Sequence, residues 1–288
     1  MPLRRLLAVC ALLAIGIGLH PRGAVVAAPQ APLNKQKISF KSGGLTLAGY
    51  VFKPDGAGPF PTLIWNHGSE QNPSGGPQFD SVAAIFVPAG YAVVAPVRRG
   101  QGGSEGDYIQ DRIQAEFSGS GPAAAEQLMV ELMESEQLGD QLAGLAFAKT
   151  LPFVDSTRLV VAGCSYGGIQ TLLAAERGAG FKAAMAISPA ALSWRGHEVL
   201  QQRLLEAVRH IEIPVLLIQP PDDASLEPAR VLGGEAKRVG KTSFTAKVYP
   251  ATMPASQRGH CFGGAKGMRN WASDALGFFG NVLRTPTR

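Results

Sequence analysis

Residues Leu159 to Leu173 read Leu-Val-Val-Ala-Gly-Cys-Ser-Tyr-Gly-Gly-Ile-Gln-Thr-Leu-Leu. A β-branched apolar run enters Gly163-Cys164-Ser165-Tyr166-Gly167, and an apolar segment with helical spacing leaves it. The stretch therefore predicts strand, tight turn and helix in immediate succession. In that setting the serine occupies a strained backbone position, and side chains at Gly163 or Gly167 would collide with the neighbouring strand and helix. The helix starting behind Ser165 aims free N–H groups and its positive dipole end at any negative charge formed there. Ser165 is the candidate nucleophile. The five-residue spelling alone is weak, because a chain with 35 glycines produces it by chance roughly one time in four. Gly102-Gly103-Ser104-Glu105-Gly106 has the same spelling, but a glycine-rich loop precedes it and no apolar helix follows at once. Ser104 is set aside on that context.

With 288 residues, 45% of them hydrophobic, the chain can bury a large core. Its first residues form a separate unit: a basic head at Arg4-Arg5, an apolar run from Leu6 to Leu19, and small residues at Val25-Val26-Ala27. This is the pattern of a signal peptide over residues 1–27, with Ala28 as the new start and an export route to the periplasm or outside. The apolar run is shorter than the ~20 residues a membrane span needs. The expected domains are this leader and a folded domain over 35–288. The 27 basic and 22 acidic residues give a formal charge of +5, but Arg4, Arg5 and Arg22 fall in the leader and no acid does. The remainder is nearly balanced, and its cations are scattered, so neither a nucleic acid nor an anionic membrane is implied as a partner.

Beyond the leader, Ile38–Lys41 and Leu45–Phe52 alternate with period two around Gly43-Gly44 and predict an antiparallel hairpin. Short apolar strands then alternate with helical segments. Strands are expected at Thr62–Asn66, Tyr91–Pro96, Arg158–Gly163, Lys182–Ser188, Ile213–Gln219 and Phe244–Tyr249. Helices are expected at Gln78–Ala89, Gln141–Lys149, Ser165–Arg177, Glu227–Val239 and Met268–Leu283. This rhythm predicts an α/β fold, a mostly parallel, doubly wound sheet covered on both faces. Two stretches break it, Asp107–Gly139 and Pro189–Glu212. Insertions after strand C-termini sit over the site in such folds, so both are candidate lids, with packing helices as the other reading of the first.

A serine hydroxyl needs a base, and the base an orienting group. The apolar strand ending at Gln219 runs into Pro220-Pro221-Asp222-Asp223, which puts two carboxylates beyond its C-terminal end. Asp223 is favoured over Asp222 as the acid, because Leu226 and Pro228 follow it as at the entry of a capped helix; helix capping by both aspartates is the alternative. Four histidines follow the leader, His67, His197, His210 and His260. His260, in the glycine-rich loop Arg258–Gly264 after the last strand, stands in the order serine, acid, histidine and is the candidate base. The backbone N–H of Tyr166 and that of Ser69, or else Gly68, are the candidate donors for an oxyanion hole. His67 reads as a loop-fixing residue, and Arg98-Arg99 as part of a structural loop with arginines on carboxylates or carbonyls. No Cys/His spacing calls for a metal. Cys164 adjoins the candidate nucleophile and Cys261 the candidate base, so the two could pair in an oxidising compartment or point apart as thiols.

Taken together, Asn66-His67-Gly68-Ser69, Arg98-Arg99-Gly100-Gln101-Gly102-Gly103-Ser104, Gly163-Cys164-Ser165-Tyr166-Gly167-Gly168, Asp223 and Gly259-His260 resemble the α/β-hydrolase superfamily. The resemblance is to its dienelactone-hydrolase-like and prolyl-oligopeptidase-like branch and covers roughly Lys37 to Leu283. It implies hydrolysis of a small carboxylic ester or related acyl substrate with no cofactor. True dienelactone hydrolases carry cysteine where this chain has Ser165, which favours serine-esterase relatives. The peptidase relatives usually carry a large propeller for which 288 residues leave no room, so a small acyl-peptidase ranks lower. An acyltransferase, or a non-catalytic binding protein on the same fold, completes the set of expectations.

Overall fold

Lys35–Ser42 (β1) and Leu45–Phe52 (β2) pair antiparallel around Gly43-Gly44, with Gly43 at φ 55°, a left-handed value open to glycine. The computed structural model describes residues 33–73, 78–252, 254–255 and 259–284; the leader expected at residues 1–27 lies outside them. Six further strands follow: Phe60–Asn66 (β3), Ala92–Pro96 (β4), Val154–Cys164 (β5), Phe181–Ile187 (β6), Val215–Gln219 (β7) and Phe244–Val248 (β8). The helices are Gln78–Phe86 (α1), Ile109–Ser120 (α2), Pro122–Leu132 (α3), Leu138–Ala148 (α4), Tyr166–Arg177 (α5), Glu198–His210 (α6), Glu227–Arg238 (α7) and Met268–Arg284 (α8).

The strands form one sheet in the order β1-β2-β4-β3-β5-β6-β7-β8. β1 and β2, and β2 and β4, pair antiparallel, and every other pairing is parallel. The middle strands are apolar on both faces, as parallel strands under helices must be. Leu63, Trp65, Val160 and Ala162 point to one face with Phe86, Trp271 and Phe279. There the Trp65 and Trp271 rings stack at 6.5 Å. Ile64, Val161 and Leu217 point to the other face with Leu172, Leu204 and Leu232. Parallel chains leave β3 on one side toward β4 and on the other toward β5, so a crevice opens beyond the C-terminal ends of β3 and β5. Asn66 ends one of these strands and Cys164 the other.

The expected alternation of strands and helices is present, with shifts at element ends. The first helix stops at Phe86, because Pro88 and Gly90 follow and neither continues a helix well. β7 starts after Pro214, which has no N–H for a ladder. The stretch 107–139 departs most from the lid expectation. α3 runs through a wide five-residue turn, Met133–Gln137, straight into α4, and buries Met129, Val130, Leu132 and Met133 in the core. It is in large part a packing element. Pro189–Glu212 contains α6, packed against the core through Leu200, Leu204 and Val208.

Candidate active site

Ser165 sits between β5 and α5 at φ 59°, ψ −120°, a left-handed conformation that non-glycine residues adopt only where their surroundings impose it. Two constraints do so. The Ser165 N–H donates to the Ile187 carbonyl of β6 at 2.9 Å, and the Ser165 carbonyl accepts from the N–H groups of Gly168 and Ile169 at 2.9 and 3.2 Å. The elbow also has no room beside it. A Cβ at Gly163 would lie 2.5 Å from the Gly167 carbonyl oxygen and 2.6 Å from that of Asn66; one at Gly167 would lie 2.0 Å from the Asn66 oxygen. Both glycines are thus required by close approach of backbone to backbone.

The other two chemically apt residues meet Ser165 there. His260 Nε2 lies 2.8 Å from Ser165 Oγ, and His260 Nδ1 lies 2.7 Å from Asp223 Oδ1. An ionised carboxylate only accepts, so Nδ1 carries the proton and Nε2 is left to accept from the serine hydroxyl. The Asp223 carboxylate is fully buried. Burial by itself would raise its pKa, but hydrogen bonds from His260, Ser188 and Gln219 outweigh it and hold the carboxyl below the usual range. Gln219 Nε2 donates to Asp223 Oδ2 at 3.1 Å.

Asp222 has a different place. Its Oδ1 accepts the Gly259 N–H at 2.7 Å and so ties down the backbone just before His260. Neither aspartate takes up the first-turn donors of α7: the Ala229 N–H goes to Gln219 Oε1 and the Glu227 N–H to Ser225 Oγ. Sequence reasoning missed the supporting roles of Asp222, Ser188 and Gln219. Only the adjacency of Gln219 to the Asp222-Asp223 loop could have hinted at one of them.

The loop after β3 is built around a buried cation. Arg98 is 2% exposed and its guanidinium lies 4.7 Å from the Tyr166 ring centre. Burial pulls its pKa down to about 10, so it stays charged at neutral pH. Arg98 Nη2 donates to the carbonyls of His67 and Gly68 at 3.0 and 2.5 Å. Peptide C=O and N–H groups point in opposite directions across a trans peptide, so the Gly68 and Ser69 N–H groups turn away from Arg98. The Ser69 carbonyl accepts Tyr108 Oη at 2.5 Å. Tyr166 opens α5, and its N–H is among those a first helical turn leaves without an intrahelical partner.

His67 fixes this loop, as its position suggests. Its Nε2 accepts the Arg98 N–H at 3.1 Å, so the proton is on Nδ1, which donates to the Gly68 carbonyl at 2.9 Å. Burial, then the Arg98 charge, hold this imidazole well below the ordinary histidine range, against the Gly68 contact. Below pH ~6.5 an unfolded His67 takes up a proton that the native one refuses, so stability falls by about 1.4 kcal/mol per pH unit from this group. Urea unfolding between pH 7.5 and 5.0 should therefore be steeper in pH for the wild type than for His67→Gln. Equal slopes would mean that native His67 takes up its proton as readily as the unfolded residue does.

Arg99 pairs with the fully buried Asp140 through two bonds, Nε to Oδ2 at 2.9 Å and Nη2 to Oδ1 at 2.8 Å. Ser104 Oγ donates to the Val97 carbonyl at 2.7 Å and accepts the Ala48 N–H, a structural role. Cys164 and Cys261 are joined in a disulfide. Among the described residues no group of three or more His, Cys, Asp and Glu side chains could hold a metal ion, and no helix is long and apolar enough to cross a membrane.

Residues 126–216 match the model of the prolyl oligopeptidase family. The matched segment runs from α3 into β7 and contains Ser165 but neither Asp223 nor His260. No curated protein sequence matches the chain. Among solved structures, the acylaminoacyl peptidase of Pyrococcus horikoshii superposes with a TM-score of 0.65 at 19% identity, over 90% of this chain and 43% of that one. This chain thus spans less than half of that peptidase. The esterase Pf2001 of Pyrococcus furiosus gives 0.64 at 17% identity, over 87% of this chain and 93% of the esterase. Est1E of Butyrivibrio proteoclasticus, solved with ferulic acid bound, gives 0.63 at 19% identity, over 86% and 100%. At these identities the likeness is one of fold.

Proposed function

We propose that this α/β-hydrolase-fold protein is an exported serine hydrolase that cleaves carboxylic esters. The observation that carries the reading is the continuous hydrogen-bonded line from Ser165 Oγ through the His260 imidazole to the buried Asp223 carboxylate. Ser165 attacks the acyl carbonyl while His260 Nε2 takes its proton; His260 then protonates the leaving alcohol, and Asp223 orients the ring and stabilises its charge. The N–H groups of Tyr166 and Ser69 receive the developing oxyanion. Water activated by His260 next attacks the acyl-enzyme, releases the acid and returns the proton to Ser165. These steps use groups of this chain, a small acyl substrate and one water.

The prolyl oligopeptidase match and the peptidase and esterase likenesses support serine hydrolase activity at the coarser level. The ester reading is supported by the likeness to the esterase Pf2001 and to Est1E, matched over 93% and 100% of their lengths. Export rests on the leader pattern of residues 1–27. It is checked by the mass of the protein recovered outside the cytoplasm, which should begin at Ala28.

The functional test is a fluorophosphonate probe on the purified protein, wild type beside Ser165→Ala, read by intact mass. The wild type should gain one adduct and the variant none. Unlabelled wild type is assayed for turnover on p-nitrophenyl esters against N-acyl-peptide anilides, with and without an added alcohol to reveal acyl transfer. A folded wild type that takes no label would instead be a binding protein on this fold.

A further inference from the structure

We infer that the Cys164–Cys261 disulfide is a positioning element for the reaction, holding the His260 imidazole on Ser165 so that turnover depends on the bond. The inference rests on the roles proposed above for these two residues. Cys164 is the residue before Ser165, Cys261 is the residue after His260, and the bond joins them across a sequence separation of 97. It links the backbone of the nucleophile directly to the backbone of the base.

The two sides of this bond are held very differently. Cys164 ends β5, is 3% exposed and is in register with Ile187 of β6, so the serine side is part of the central sheet. His260 opens a kinked 3-10 segment, His260–Lys266, in the long connection between Val248 and Met268, where the described residues form no strand or α-helix. Directly after His260 the chain takes four residues of positive φ, Cys261 at 55°, Phe262 at 59°, Gly263 at 65° and Gly264 at 72°. Two of these carry side chains, and such a run persists only where contacts over-determine it. Asp222 holds the loop on one side of His260 through the Gly259 N–H. On the other side the Cys261 N–H makes a 3.3 Å bond to Ser188 Oγ, and Phe262 packs edge-on against Tyr249 at 5.1 Å. The disulfide is the covalent tie among these contacts.

Cutting it should cost alignment before it costs the fold. The sulfurs lie among Trp65, Ile187, Met268 and Trp271, where two thiols would remain packed as small hydrophobic groups. Alignment is the sensitive quantity, because a displacement of ~1 Å in a reacting group can lower a rate by about a hundredfold. Reduction by a dithiol is balanced within named groups. Its thiolate attacks Sγ of Cys261, the more exposed of the two residues, and expels Cys164 as thiolate, which takes a proton. The second thiol of the reductant then displaces Cys261, so the protein gains two thiols and the reductant becomes a cyclic disulfide. A chain built this way is silent while its cysteines are reduced and becomes competent where disulfides form.

The test uses the purified mature protein before and after dithiothreitol, with free thiols counted, near-ultraviolet circular dichroism recorded, and kcat, KM and fluorophosphonate labelling rate measured. Reduction should lower kcat and the labelling rate at least tenfold with KM within twofold and the dichroism retained, and reoxidation should restore both rates. The double variant Cys164→Ser/Cys261→Ser should sit at the reduced level and ignore dithiothreitol. Equal rates in both redox states would overturn the inference alone and leave the hydrolase reading standing. Loss of dichroism in step with activity would also overturn it, marking the bond as a general structural staple. Absence of labelling in the oxidised, folded protein would overturn the hydrolase reading and the inference with it.

Discussion

Asp223→Asn should lower kcat for a small ester by about ten-thousandfold, while Asp222→Asn should cost less than tenfold. The two carboxylates are neighbours in sequence but not in function. Asp223 Oδ1 accepts the His260 Nδ1 proton at 2.7 Å, and its other oxygen accepts from Gln219. An asparagine there can turn its NH₂ toward Nδ1. The imidazole then carries its proton on Nε2, facing Ser165 Oγ, and cannot take another from the serine. Size and burial hardly change, so the loss should fall on kcat with the thermal midpoint nearly unmoved. Asp222 Oδ1 accepts the Gly259 N–H, which an asparagine carbonyl can still accept, so the loop keeps its tie. Parallel kinetics of the two variants decide the assignment. Similar losses in both would mean that the acid is shared or misassigned.

Gly167→Ala should destabilise the protein by about 3 kcal/mol or more, or prevent folding. The added Cβ would lie 2.0 Å from the Asn66 carbonyl oxygen and 2.6 Å from that of His67. Neither is the free end of a flexible side chain. Asn66 ends a central strand paired on both sides, and its Nδ2 donates to Thr171 Oγ1 of α5 at 3.0 Å. Strand and helix would have to separate to admit one methyl group, and the donors of the loop after β3 would move with them. Gly139→Ala is the matching control. It lies in α4 with nothing within 4 Å of the added Cβ, and should stabilise by roughly 0.5–1 kcal/mol. Thermal melts separate the two, since ~1 kcal/mol moves the midpoint of a domain of this size by about 2–4 °C. A wild-type melt for Gly167→Ala would show that the elbow has slack the contacts deny.

How much of this was legible beforehand depends on how local each constraint is. The elbow could be read because strand, glycine spacing and helix lie within fifteen consecutive residues, and each follows from side-chain periodicity or the absence of a Cβ. The order of Ser165, the aspartates and His260 was legible because Ser165 and the aspartates follow apolar strands and His260 follows the last strand, and parallel strands deliver their C-terminal loops to one edge. The reading of 107–139 as a lid was weaker. Met129, Val130, Leu132 and Met133 face the core on helices joined by the wide turn at Met133–Gln137, and no composition signal announces such a turn.

By itself, the sequence determined that a serine stands at a tight turn in a mostly parallel sheet, with an acid and a histidine downstream in loops at the same edge. It favoured Asp223 over Asp222 without fixing the choice, and it could not pair Cys164 with Cys261 or foresee that Ser188 and Gln219 brace the Asp223 carboxylate. Those choices involve atoms 4 to 97 positions apart whose separation is set by helix packing across the sheet. Hydrophobic period and backbone sterics act over a few residues and are written into short stretches. A hydrogen bond or disulfide of fixed length is decided by where distant elements come to rest, and only the tertiary structure supplies that.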